Sequence, residues 1–595
     1  MNLTNVKLVL RRLFTHRVFS IINISGLALG MATCILIFLW VQDELGYDRF
    51  HQNADTLHRV VENQHYAGGE IFPVAVTPGP LAFTLKDDYP EIVNACRIQR
   101  PMTMLVEYED QSFNEAGVML ASPTFFEMFT FPFLQGDPAT ALDDLNSIVV
   151  TRSMAEKYFG DRDPLGQRLR LFGQSDFTVT GVIEDIPPNS HLQFSMVSPF
   201  MNIAQFGANL DDWGSNSYFT YVQLQEGTPH QEVSAKIIDV IKEHNEGSVT
   251  DLYLQPLPRI HLHSDFTADI GGHGEFQYVV LFSIIALIIL AIACINFMNL
   301  STARSANRAK EVGMRKVVGA QRRQIALQFI GESMIMVIIS FGIAILLVEL
   351  LLPTFNHLAA KQLAIMQLDS GQVIILAGAV LLTGLVAGSY PAMFLSSFQP
   401  VKVLRGVLGA GARSSTMRKI LVIGQFALAT GLIIGAVIVH RQLNYIQNKK
   451  LGYDQDNLVY FRMGRAAQPN YEALKLELEQ NPGILAVSRA SSRPTYIGSS
   501  SSGFEWEGKN PDDVILIHFT SVGYDFDKTL GLEMATGRFY SQEFPADAAG
   551  AVVVNEEAIR VMGLEDPLGK QLTGFGEEKS IIGVVKDFHF KSVHN

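Results

Sequence analysis

The chain has 595 residues, a formal net charge of −13, 48% hydrophobic residues and only three cysteines, with a mean hydropathy of +0.18. That balance is too apolar for an ordinary soluble protein and too polar for one lying wholly in a bilayer, so it predicts a hybrid, part membrane and part water-facing. Cys34 and Cys294 fall in apolar runs and Cys96 stands alone, which excludes a disulfide framework.

Residues 1–17 carry Lys7, Arg11, Arg12 and Arg17 without an acid, and residues 18–41 read as a first membrane span, charge-free from Ser20 to Val41. A hydrocarbon core of ~30 Å needs about 20 helical residues, and a charge at its centre costs roughly 2.5 to 3.5 kcal/mol. The run is longer than a signal-peptide core and no small-residue cleavage site follows it, so it reads as an uncleaved anchor. Residues 42–275 form a first water-facing α+β domain. Within it, strands at 147–150 and 177–183 bracket a helix at 153–159 and a turn at 161–166.

Residues 276–400 hold three further spans, near 278–300, 325–352 and 373–395, with a basic connection at 301–323. A basic linker at 401–419 leads to a fifth span at 420–439 and a second α+β domain at 440–595. That domain repeats the earlier order with a strand at 551–554, a helix near 556–562, a turn at 566–569 and a strand at 580–585. Sixteen of the 46 basic residues lie in the N-terminal segment, the 301–323 connection and the linker. Five alternating helices put all three on one side, the cytoplasmic side by the positive-inside rule, and both α+β domains outside. The outer domains are left acidic, which disfavours nucleic acid as a partner.

Three motifs occur twice in the same order. Leu45-Gly46-Tyr47-Asp48 returns as Leu451-Gly452-Tyr453-Asp454, Asp163-Pro164-Leu165-Gly166-Gln167 as Asp566-Pro567-Leu568-Gly569-Lys570, and Gly181-Val182-Ile183-Glu184-Asp185 as Gly583-Val584-Val585-Lys586-Asp587. Offsets of 406, 403 and 402 mark a collinear internal duplication. Carried through, it would need about 200 more residues, so the chain reads as a fragment of a protein of ~800 residues with eight spans.

Catalytic signatures are absent: the sequence holds no G-x-x-x-x-G-K-[ST] phosphate loop, no G-x-S-x-G elbow, no H-E-x-x-H and no paired-cysteine metal site, and implies no cofactor. His261-Leu262-His263-Ser264-Asp265, with His273 nearby, admits two readings: a metal site, or a half-buried strand edge. Glu332 in the third span must face the bundle, pair with a base such as Arg322 or Arg323, or reach the interface. Gly26-x-x-x-Gly30, Gly384-x-x-x-Gly388 and Gly431-x-x-x-Gly435 place small residues on single helix faces for close packing.

The 303–320 segment sets Arg304, Arg308, Glu311 and Arg315 at helical spacing, a charged stripe able to dock a partner, beside Val312, Val317 and Val318. Its Glu311-Val312-Gly313-Met314-Arg315-Lys316-Val317-Val318-Gly319-Ala320 resembles the coupling region of the MacB/FtsX-like permeases of ABC transporters, where a basic stretch precedes E-[IV]-G-[IM]-R-[KR]-x-x-G-A. The stretches at 20–30 and 43–51 are similar to the opening of tandem members of that family, and the departure is a missing final three-span module.

The resemblance implies an α-helical inner-membrane protein with a cytoplasmic N-terminus and two α+β extracytoplasmic domains. It also implies no catalysis of its own. A dimeric cytoplasmic ABC ATPase would drive the outer domains by mechanotransmission, for export or extrusion of a substrate, with Arg308, Glu311, Arg315 and Lys316 as ATPase contacts. A periplasmic adaptor, an outer-membrane channel or another envelope protein stands open as a further partner besides the lipid bilayer. An alternative is an FtsX-like regulator of an extracytoplasmic cell-wall enzyme; a membrane-anchored metalloenzyme using His261, His263 and Asp265 is a second rival.

Overall fold

The computed structural model describes residues 17–69, 71–171, 175–303, 305–397, 411–510 and 513–591, without side-chain description at 68, 305–310, 411–415, 465 and 466. The N-terminal basic cluster before Arg17, Arg304 and much of the 401–419 linker therefore lie outside the described residues. The chain divides into two compact units. One runs through Glu62, from Ala75 to Glu246 and from Leu252 to Val437; the other comprises Asn63–Val74, Gly247–Asp251 and the stretch from Ile438 onward.

Among the described residues five helices are long and apolar enough to cross a membrane: Arg17–Leu45, Phe276–Ala303, Arg322–Ala359, Ser370–Ser396 and Thr416–Gln447 within Gly411–Gln447. They overrun the apolar stretches read from sequence. Hydropathy registers only the lipid-facing core, while backbone hydrogen bonding carries a helix on into water through polar residues such as His440 and Arg441. At 38 residues the third helix is roughly 57 Å long, well beyond the ~30 Å it must cross.

The first four spans pack as a bundle. Leu27, Met31, Ile35 and Leu39 of the first meet Ala293, Cys294 and Phe297 of the second, Val337, Ala344 and Val348 of the third and Ala387 of the fourth. Lipid removes the hydrophobic drive between helices, so association rests on close packing of small residues. A Cβ at Gly30 would stand 2.8 Å from the Ala293 side chain, and one at Gly388 3.0 Å from Ser333 Cβ. Gly26 faces Asn296 and Gly384 faces Met334. Gly431 and Gly435 behave differently: a Cβ there meets nothing within 4 Å, and none of the fifth helix's apolar window is buried. The packing expected of that pair is not formed among the described residues, because no helix lies against it.

The first lobe is built on one mixed sheet, ordered Thr250–Pro256, Leu57–His65, Phe219–Leu224, Ile92–Tyr108, Gln111–Ala121, Met196–Pro199, Ser147–Thr151, Ser175–Ile183 and Phe133–Gly136. In the second lobe, Glu505–Trp506, Gln571–Gly574, Glu577–Val585 and Met534–Gly537 form a smaller sheet, with Ala551–Asn555 paired to Glu577–Val585.

The repeated motifs are repeated hydrogen-bonding devices. Ser147–Thr151 runs parallel to Ser175–Ile183 with a register shift between Ile148 and Val149; Ala551–Asn555 runs parallel to Glu577–Val585 with the shift between Val552 and Val553. The Asp185 carboxylate accepts from Ser153 N–H (3.0 Å) and Oγ (2.6 Å) at the start of helix Arg152–Phe159. Asp587 accepts from Glu557 N–H (2.9 Å) at the start of Glu556–Met562. An anion there satisfies orphan amides and complements the helix dipole, which explains the aspartate ending Gly-Val-x-x-Asp. In Asp-Pro-Leu-Gly, Gly166 (φ 78°) donates to the Val179 carbonyl at 2.9 Å and Gly569 (φ 81°) to that of Ile581 at 2.8 Å; positive φ requires glycine at both turns.

Candidate functional site

The 305–320 segment folds as helix Ser305–Val317, ended by a turn that the sequence encodes in Gly319-Ala320. Gly319 N–H bonds to the Lys316 carbonyl (3.1 Å) and Ala320 N–H to that of Arg315 (3.0 Å), with Gly319 at φ 100°. These paired bonds across a glycine close the helix C-terminus. Gln321 then precedes the third span, its N–H donating to Gln324 Oε1 at 3.0 Å.

One face of this helix is fixed to the bundle. Val312 is buried in a cluster with Ile325 and Phe329 of the third span and Ala392 and Leu395 of the fourth. Lys316 Nζ donates to the Ser396 carbonyl at 2.6 Å, joined by Arg322 Nε on Ser396 Oγ at 3.4 Å. Burial, and then Arg322, lower the Lys316 pKa from the ordinary lysine range. Arg315 donates to Gln328 Oε1 (2.6 Å) and to Glu311 Oε1 (2.8 Å). Of the residues assigned above to partner contact, Arg315 and Lys316 brace the helix against the third and fourth spans, and Glu311 pairs with Arg315 along the helix. The Arg308 side chain lies outside the described residues.

The opposite face is apolar and open. Met314 is 62% exposed, Val317 64% and Val318 85%. Met314, Arg315, Val318, Gly319, Ala320 and Gln324 line an open cleft of about 470 Å³. The charge stripe drew attention to the helix, but charge was not the signal for these neighbours. The clue in the sequence was the Gly-Ala stop, which holds Val317 and Val318 at an uncovered helix end.

The two-histidine motif lies elsewhere and is not a strand edge. Pro256 caps and Pro258 lies within a short turn, Leu257–Arg259, so His261 follows it rather than alternating along a strand. His261 Nε2 is 2.7 Å from Glu44 Oε2 and its Nδ1 3.0 Å from the Gly272 carbonyl, while His263 stacks on Phe276. Among the described residues no three His, Cys, Asp or Glu side chains converge in a metal-binding group. Glu332 is buried in the third span and accepts from Gln328 Nε2 at 3.2 Å.

A bundle of apolar spans, a lobe entered from the first span and left through the second, and a braced helix at the far end of that bundle define a multi-pass membrane protein of permease type. The family model for the MacB-like periplasmic core domain matches residues 20–240 and 420–594, and that for the FtsX-like permease C-terminal region matches 283–400. The chain belongs to the MacB/FtsX-like permeases of ABC transporters, with two α+β extracytoplasmic domains.

It is similar to the macrolide export ATP-binding/permease protein MacB of Bdellovibrio bacteriovorus, 26% identical over 269 residues that cover 43% of this chain and 38% of that one. The protein of the same name from Syntrophobacter fumaroxidans is 21% identical over 399 residues, covering 57% and 54%. These matches span about half or less of the relatives' own length. The crystal structure of the periplasmic region of MacB from Actinobacillus actinomycetemcomitans aligns at 15% identity with a TM-score of 0.27, over 34% of this chain and 90% of that one.

Proposed function

We propose that the chain is the non-catalytic membrane subunit of an ABC transporter, driven by a separate dimeric cytoplasmic ATPase that docks on helix Ser305–Val317. The observation that carries this reading is the helix's division of labour. Its inner face is fixed to two spans through Val312, Arg315 and Lys316, and its outer face leaves Met314, Val317 and Val318 uncovered. An exposed apolar patch beside a cleft fits a protein partner, and the bracing lets a push on it move the spans rather than bend a loop.

On this reading the helix and the N-terminus are cytoplasmic and both lobes lie across the inner membrane, an orientation that the basic residues around the helix support. ATP-driven closure of the partner then tilts the spans and moves the lobes, extruding a substrate held in the envelope, with an adaptor or outer-membrane channel as a further partner. The residues assigned to ATPase contact are Arg308, Glu311, Arg315 and Lys316, to which Met314 and Val318 are added.

The test is reconstitution with an ABC ATPase that co-purifies with the chain. Val318→Asp, at a position 85% exposed, is expected to insert normally and to cut permease-stimulated ATP hydrolysis tenfold or more. Hydrolysis equal to that of the unsubstituted chain would refute the docking site.

A further inference from the structure

At the lobe end of the bundle, charges are buried and closed on one another. The third span stops at Ala359, and the chain crosses to the fourth through a short ordered link. In that link Lys361 N–H bonds to the Asn356 carbonyl at 3.0 Å, and the Asn356 side chain holds Leu363 through both its backbone N–H and its carbonyl. Leu363 is buried in the bundle core.

From this link Lys361 reaches back to the outer end of the first span. Its ammonium lies 2.6 Å from Asp43 Oδ2 and 2.9 Å from Glu44 Oε1, and donates to Tyr47 OH at 3.1 Å. Two carboxylates and a phenol oxygen thus surround the ammonium. Burial disfavours this cation, but the hydrogen bonds it donates to Asp43 and Glu44 and their field outweigh burial and raise its pKa. The other Glu44 oxygen meets His261, whose ring lies flat on Tyr47 with centroids 3.4 Å apart. Gly274 passes so close that a Cβ would collide with Glu44 and His261. His261 and Gly274 belong to the segment that leads out of the first lobe into the second span at Phe276.

We propose that Lys361 is the pin of a three-way joint that locks the link between the third and fourth spans to the end of the first span and, through Glu44 and His261, to the root of the first lobe. A tilt of the first span against the third is thereby passed to the lobe instead of being absorbed by loose connections. Tyr47 belongs to the duplicated Leu-Gly-Tyr-Asp motif, but Lys361, 314 residues away, lies in none of the repeated motifs. The joint deepens the coupling reading above in one respect: it names where span movement enters the lobe.

The experiment measures the distance distribution between spin labels at Met366→Cys, 93% exposed on the link, and Asp265→Cys, exposed at the lobe root. It uses the full chain in lipid nanodiscs, with Cys34, Cys96 and Cys294 replaced by alanine. Lys361→Met is expected to broaden the distribution at least twofold, and Lys361→Arg to keep it narrow. An unchanged width in Lys361→Met overturns the joint. Should that variant not fold, the exchange Asp43→Lys with Lys361→Glu decides: a narrow distribution supports the joint and a broad one overturns it. A separate arm adds the ATPase and ATP; if the unsubstituted chain then shows no response, the coupling reading fails while the width comparison still judges the joint.

Discussion

The two ends of the span bundle handle charge in opposite ways. At the far end, Glu311 and Arg315 sit 2.8 Å apart with their side chains 37% and 42% exposed, on a helix whose apolar tip is bare. At the lobe end, Asp43, Glu44 and Lys361 pair with side chains only 20%, 5% and 11% exposed. The contrast teaches that an exposed ion pair is weak and remakeable, which suits a docking surface, whereas a buried one is costly to break and suits a fixed joint.

The largest effect expected from breaking the open end is functional. Replacing Glu311 and Arg315 together by alanine frees the helix from Gln328 and removes two of the four members of the charge stripe, and is expected to lower stimulated ATP hydrolysis more than tenfold while insertion, read by membrane yield, is unchanged.

Next comes pH, to which the lobe side should be the sensitive one. His51, facing Asp48 and His191, and His58, beside His230, are both lowered to about 4, chiefly by burial. They stay neutral in the fold while the unfolded chain takes up protons near 6.5. The unfolded state therefore binds more protons between pH 6.5 and 4, and stability falls as pH drops through that window. At pH 5 the loss is about 2 kcal/mol per histidine, readable as a lower unfolding midpoint by tryptophan fluorescence.

The packed glycines give a smaller shift. Gly30→Leu must push against Ala293 and is expected to cost about 1–3 kcal/mol in detergent unfolding. Gly431→Leu, with open space around it, is expected to cost nothing measurable. The smallest effect sharpens the contrast between the ends: a double-mutant cycle on Glu311 and Arg315 should give about 0.5 kcal/mol or less of stability and vanish in 1 M salt.

What was legible in the sequence was local. Charge-free runs mark the spans, and Asp185 and Asp587 recur because each caps a helix about 30 residues away by the same bond. Features set by distant partners were not legible. The polar-rich stretch Leu57–His65 becomes a strand because Phe219–Leu224 pairs with it. Val459, Tyr460 and Phe461, also following a Leu-Gly-Tyr-Asp motif, have no strand partner among the described residues and are 83%, 63% and 65% exposed. His261 read as metal ligand or strand edge because nothing near it in sequence announces Glu44, 217 positions away. Helix Ser305–Val317 stands out in the sequence by its charges, yet its open surface is made by Met314, Val317 and Val318.

The central claim is that this surface meets an ATPase inside the cell. Val318→Cys, probed with a membrane-impermeant maleimide, tests it directly in a background lacking Cys34, Cys96 and Cys294. The account predicts labelling in inside-out vesicles, none in intact spheroplasts, and protection when the purified ATPase is added. Labelling from the outer side, or labelling that the ATPase leaves unchanged, would contradict it.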